Sequence, residues 1–176
     1  MSRHGTYTQL DGSPAVRFER DLRHPPEAVW RLVTEPDELA HWFPCAVEVD
    51  LRVGGAMRFV FSPEFELDGE VVACEPPTRF AFRWGRDLLA FTLEERGAGT
   101  RLVLEHVLHE EGAPGAAKTA AGWHLCLDAL AARLDGTHAG PAPEGPSPAW
   151  RARYDEYVAA GVPAGAAVPG DGASRH

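Results

Sequence analysis

The chain has 176 residues, enough for one domain and short for two, and its 44% hydrophobic and 24% charged content is ordinary for a globular protein. Asp plus Glu number 26 against 17 Lys plus Arg, a formal charge of −9, and with no basic cluster to offset it that sign repels phosphate backbones and anionic lipid, so nucleic acid and membrane surfaces are poor partners. No apolar run nears the roughly 18 residues of a membrane span, Met1 to Asp11 lacks the apolar core of a signal peptide, and Cys45, Cys74 and Cys126 are odd in number and well separated, so a cytoplasmic protein with reduced thiols is expected.

Residues 1–14 are polar and read as a flexible arm. From Ala15 to Leu22, Val16, Phe18 and Leu22 fall on one face, with Arg20 in phase with them, and Arg17, Glu19 and Asp21 on the other. That alternation predicts a strand with one buried face. Pro25-Pro26 stops it and starts a helix, because the first helical positions need no N–H donor. Ala28, Val29, Leu32 and Val33 keep helical spacing, Glu35-Pro36 breaks it, and Asp37 to Phe43 reads as a second short helix.

Strand signals follow. Val47 to Leu51 alternates, Gly54-Gly55 turns, and Met57, Phe59 and Phe61 alternate with Arg58 and Val60. Asp68-Gly69 reads as a turn or bulge before a strand at Glu70 to Cys74. Phe80, Phe82 and Trp84 alternate after Pro76-Pro77, then Leu89, Phe91 and Leu93, and after Gly97-Ala98-Gly99 so do Leu102, Leu104 and His106. Short links between successive strands predict an antiparallel meander. The period then changes: Trp123, Leu127, Leu130 and Leu134, widened by Cys126 and Ala129, stripe one face of a helix at about 114–135, and Gly136 is placed to end it. Residues 137–176 read as a Pro/Gly-rich tail with a linker at 140–148, one short helix near 148–160 carrying Trp150, Tyr154, Tyr157 and Val158, and a disordered end from 161.

The expected architecture is therefore α+β: one domain over 15–136 in which a curved antiparallel sheet grips a long helix and leaves an apolar cavity between them. Five segments, RDLRHPPEAVWRLVTEPDELAHWF, VGGAMRF, GEVVACEPPTRFAFRW, GTRLVLEH and GWHLCLDALAARLDG, resemble in order and spacing the bacterial proteins grouped with the activator of the 90-kDa heat-shock protein ATPase. The resemblance implies the helix-grip fold of the START-like (SRPBCC) superfamily. Its members bind lipids, polyketides, plant hormones and other apolar ligands, and a few are cyclases or aromatases. The fold alone does not choose among these.

The candidate cavity lining is Trp42, Met57, Phe59, Phe61, Phe82, Trp84, Phe91, His106, Trp123 and Leu127. The same side chains also suit a plain core, since burying an aromatic stabilises by roughly 1.5–3 kcal/mol without any ligand. Trp42 and Phe43 form either a lid at the cavity mouth or a pin for the second helix. His106 and Arg20 are the polar handles. An inward imidazole hydrogen-bonds a ligand or acts as a base, and an inward guanidinium meets a carboxylate or phosphate, snorkels to an edge or pairs with an acid. No metal is expected, because His106 and His109 lack a third ligand, and Glu64, Glu66, Asp68 and Glu70 read as a solvated hairpin. No cofactor is expected. The leading expectation is a binding protein for a small apolar or amphipathic molecule; the alternatives are a cyclase/aromatase-like or hydrolytic enzyme, and a chaperone-linked or protein-interaction module. A homodimer is compatible with the sequence but not required by it.

Overall fold

The computed structural model describes residues 3–137 and 146–168. In chain order they form β1 (Thr6–Leu10), β2 (Ser13–Leu22), α1 (Pro26–Thr34), α2 (Pro36–Leu39), β3 (Ala46–Val49), β4 (Ala56–Ser62), β5 (Phe65–Glu75), β6 (Arg79–Trp84), β7 (Asp87–Arg96), β8 (Gly99–Val107), a 3₁₀ turn (Ala113–Gly115), α3 (Ala116–Leu134) and α4 (Pro148–Ala159). The strands make one curved antiparallel sheet, β1-β2-β8-β7-β6-β5-β4-β3, with α3 packed on it in the helix-grip arrangement. Strands β3 to β8 are the expected meander. Strand β2 then closes on β8, with Phe18 opposite Leu104 and Val16 opposite His106.

Four sequence expectations need correction, the last of them in the tail. The arm at 1–14 is not loose over its described part: Thr6–Leu10 is an edge strand paired with β2, from Thr6 opposite Arg17 to Leu10 opposite Ser13. The turn between them is Asp11-Gly12, with φ of 49° and 79°, the two left-handed residues that a tight hairpin of matching twist demands. The ordered domain thus begins before residue 15. Next, Asp68-Gly69 is neither turn nor bulge but lies inside the long strand β5. Glycine is required there by a close approach, since a Cβ would sit 2.2 Å from the Arg83 carbonyl oxygen. The bulge comes later, between Val71 and Ala73. Third, the second helix is a single turn, and Trp42 and Phe43 lie beyond its end.

Helix α1 starts on Pro26 and buries Val29, Trp30, Leu32 and Val33. The Trp42 indole donates to the Leu32 carbonyl at 2.8 Å, which fastens the irregular stretch after α2 onto α1. Arg133 near the end of α3 pairs with Glu38 on α2 at 3.0 Å. Helix α3 covers 19 residues and buries Ala116, Ala117, Ala120, Ala121, Trp123, Cys126, Leu127 and Leu130. Small residues fill its first turns, and the large ones its centre. Gly136, at φ 71°, follows its last turn.

The short helix expected near 148–160 is α4, capped by the Ser147 hydroxyl accepting from the Trp150 N–H at 3.1 Å. It docks on α3 through Trp150 and Tyr157. The chain beyond it is not disordered over its described part, Gly161 to Val168. Pro163 accepts from the Ala117 N–H at 2.9 Å, and Ala166 donates to the Pro114 carbonyl at 3.1 Å, so this strap crosses the start of α3. Most of the expected linker, and the end of the tail from residue 169, lie outside the described residues.

Candidate functional site

The site is built around the β6–β7 hairpin. Its two-residue turn is Gly85-Arg86, with Gly85 at φ 58°, a geometry that favours glycine at the first turn position. The turn sets Asp87 opposite Trp84 and puts Leu89 opposite His106 on β8. Asp87 therefore lies one pleat from His106, on the same inward face.

One carboxylate gathers the local chain. Asp87 Oδ1 accepts from the backbone N–H groups of His109 and Glu110, each at 2.8 Å, and Oδ2 lies 2.7 Å from His106 Nε2. The Trp123 indole donates to His106 Nδ1 at 2.8 Å. An indole nitrogen only donates, so Nδ1 is the acceptor and the ring proton sits on Nε2, facing Asp87. Both imidazole nitrogens are thus engaged. Burial raises the Asp87 carboxyl, but the hydrogen bonds from His106 and from the Glu110 and His109 backbone outweigh it and hold the group below its ordinary range.

Beside this chain of hydrogen bonds lies a cleft of about 700 Å³. Phe61, Phe65, Leu67, Trp84 and Leu108 give its apolar wall, and Arg86, Asp87, His106, Glu110, Glu111 and Lys118 its polar side. Arg86 pairs with Glu110 at 3.7 Å. Lys118 pairs with Glu111 and also donates to the Ala167 carbonyl at 3.2 Å, so the strap after α4 reaches the rim. The pairing of β4 with β5 shifts between Val60 and Ser62 and leaves Phe61 without a cross-strand partner. Such a bulge re-aims a side chain, and Phe61 lies parallel to Trp84 within 10°, ring centroids 6.0 Å apart.

Of the ten expected lining residues, Phe61, Trp84 and His106 face this cleft. Trp42, Met57, Phe59, Phe82, Phe91, Trp123 and Leu127 lie behind it as buried core. Phe59 stacks on Phe82 at 5.6 Å and on Trp84 at 5.5 Å, while Phe91 meets Trp42 edge-on at 6.0 Å. Arg20 does not line the cleft. It is buried on β2 over the Phe18 ring, donates to the Glu19 carbonyl at 3.0 Å, and stands 4.0 Å from Asp128 of α3. The rest of the lining, including Phe65, Leu67, Asp87 and Lys118, lies outside the sequence expectation. Asp87 was within reach, because it is in phase with Leu89 and Phe91 on the strand that carries them; Phe65 and Leu67 were hidden in an acidic run.

A second buried polar cluster joins the chain just before β1 to α3 and α4. The Tyr157 hydroxyl accepts from the Gly5 N–H at 2.9 Å and lies 2.9 Å from His124 Nδ1. Burial pushes the His124 imidazole down to about 4, with Asp128 opposing the shift and Arg153, Arg20 and His4 adding to it. Among the described residues no group of three or more His, Cys, Asp or Glu side chains is arranged to hold a metal, and no helix is long and apolar enough to cross a membrane.

A family model described as Activator of Hsp90 ATPase homolog 1-like protein matches residues 23–135. Among solved structures the chain is similar to EF2215 from Enterococcus faecalis, a conserved protein of unknown function, at 25% identity and a TM-score of 0.74 over 89% of each chain. It is also similar to CalU16 from Micromonospora echinospora, at 23% identity and a TM-score of 0.71, over 90% of this chain and 93% of that one. DynU16, a protein of the dynemicin biosynthetic locus, shares 26% identity at a TM-score of 0.63, over 72% of this chain and 50% of its own. A comparison with curated proteins finds no match.

Proposed function

The chain belongs to the family of Activator of Hsp90 ATPase homolog 1-like proteins, and on that premise we propose that it binds a small apolar or amphipathic molecule in the cleft beside the β6–β7 hairpin. The observation that carries the reading is the cleft itself: about 700 Å³, with four large apolar side chains from β4, β5 and β6 facing a charged rim. That volume and that distribution of polarity suit a small-molecule site. Phe65, 51% exposed, is a large apolar side chain left in water at the mouth, which ligand contact would cover. The likeness to DynU16, whose locus is a biosynthetic one, supports a small organic ligand. His106, the base that the cyclase-like or hydrolytic alternative would use, spends both ring nitrogens on Trp123 and Asp87.

The test is a calorimetric titration of the whole chain against a panel of flat aromatic and medium-chain acyl compounds. One panel member or more binds saturably at a stoichiometry near one, and Phe65→Glu weakens that binding about tenfold or more while the melting temperature stays close to that of the parent. Absence of saturable binding across the panel, or affinity indifferent to Phe65→Glu and Leu67→Glu, contradicts the reading.

A further inference from the structure

We infer that Lys118 is the polar anchor of the cleft: its ammonium offers one remaining N–H to a neutral oxygen acceptor, such as a ketone carbonyl, on an otherwise apolar ligand. The inference rests on the cleft being the binding site. Lys118 is the only lysine in the chain. It stands in the first turn of α3, and its side chain lines the cleft with 22% of its surface exposed. An ammonium carries three donors and no acceptor. Two are spent, one on the Glu111 carboxylate and one on the Ala167 carbonyl at 3.2 Å. The third has no partner among the described residues.

The other polar side chains of the lining do not offer this. His106 spends both ring nitrogens, the Asp87 carboxylate only accepts, and the Trp84 indole N–H is buried. Arg86 is 73% exposed and meets Glu110 only at 3.7 Å, so a ligand that used it would have to order a long, solvated side chain. Lys118 is ordered already. Glu111 holds its head, and so does the strap after α4. That strap is fixed in turn: the Pro163 carbonyl accepts from the Ala117 N–H, the Ala166 N–H donates to the Pro114 carbonyl, and Val168 packs against the core. Ala167 lies between two fastened residues, so its carbonyl is a fixed acceptor and the ammonium is preorganised. Charge selects the acceptor. Glu111 already neutralises the ammonium, and Asp87 and Glu110 stand on the same rim, where carboxylates outnumber cations. An anionic ligand adds like charge to that rim. A neutral carbonyl takes the N–H as a charge-assisted hydrogen bond without that repulsion.

The experiment compares 2-acetylnaphthalene, 2-ethylnaphthalene and 2-naphthoate, which share a ring system and differ in the acceptor. Affinities are measured calorimetrically on the full chain, and the Nζ resonance is followed after labelling with ¹³C,¹⁵N-lysine, where a single lysine gives a single signal. The ketone binds about tenfold more tightly than the hydrocarbon, the carboxylate binds more weakly than the ketone, and the Nζ resonance moves on saturation with the ketone and holds with the hydrocarbon. Lys118→Met keeps the apolar stem and removes the donor, so the ketone falls to the hydrocarbon's affinity. A purely structural lysine would instead weaken both compounds alike in that variant, which overturns the assignment. Equal binding of ketone and hydrocarbon by the parent chain, or tighter binding of the carboxylate than of the ketone, also overturns it while leaving the cleft as the site. Failure of all three compounds to bind the parent chain overturns the assignment and, with the panel above also silent, the proposed function. If Lys118→Met does not fold, the Nζ resonance of the parent chain decides the matter alone.

Discussion

Asp87 holds three hydrogen bonds at once, two from the backbone that forms the cleft rim and one from His106. Replacing it with Asn keeps an oxygen for the backbone but sets an amide N–H₂ against His106 Nε2–H, so two donors face each other. Asp87→Asn is expected to lower stability by about 1–3 kcal/mol in urea denaturation. It is also expected to broaden the backbone resonances of His109 and Glu110. The Asp87 carboxyl sits below its unfolded value, so its contribution is complete above the ordinary carboxylate range and is lost as the pH falls through the lower folded value. His124 acts in the same direction over a different window. Its folded value near 4 is below the ordinary 6.5, so the unfolded chain takes up the proton first, and stability falls as the pH drops from about 6.5 to about 4. His124→Asn keeps an acceptor for the Tyr157 hydroxyl without a titrating ring. Chemical denaturation at stepped pH is expected to show the parent losing about 2 kcal/mol across that window relative to the variant.

Among the elements, α4 and the chain leading into the edge hairpin meet at Tyr157. Tyr157 on α4 satisfies both Gly5 and His124, so Tyr157→Phe orphans a backbone N–H and an imidazole nitrogen together. The expected cost is about 2 kcal/mol, and hydrogen exchange at Gly5 and through β1 is expected to quicken. Much of this layer could be read from the sequence. Alternation gave β2, β4, β6, β7 and β8, and the change of period gave α3, because each buries one face along much of its length. Strand β1 escaped because its residues are half-exposed or exposed and no apolar stripe marks it. The cue present was Asp11-Gly12, a turn signal rather than a burial signal. Gly69 misled for a related reason: a strand glycine marks either a break or a close approach, and only the position of the Arg83 carbonyl tells them apart.

For the whole molecule, the sequence places aromatic rings on the inner face but not the empty space among them. Whether Phe59 and Phe82 line a cavity or touch each other depends on the curvature of the sheet and the depth of α3, which periodicity does not encode. The structure packs those rings together and opens the space at the end of the sheet instead, where the bulge at Phe61, the Gly85 turn and the loop held by Asp87 converge. The phase of His106 marks it as inward, but its role depends on Asp87 and Trp123, partners brought together only by the register of β7 on β8 and the seating of α3. That this end of the sheet is the binding site is checked by a backbone amide NMR titration of the full chain with 2-acetylnaphthalene, a flat aromatic compound of the kind in the panel above. Saturable shifts are expected at Phe61–Leu67, Trp84–Asp87 and Leu108–Lys118, the segments that wall the cleft. Saturable shifts centred elsewhere, such as the β3–β4 turn or the outer face of β2 and β8, would contradict it.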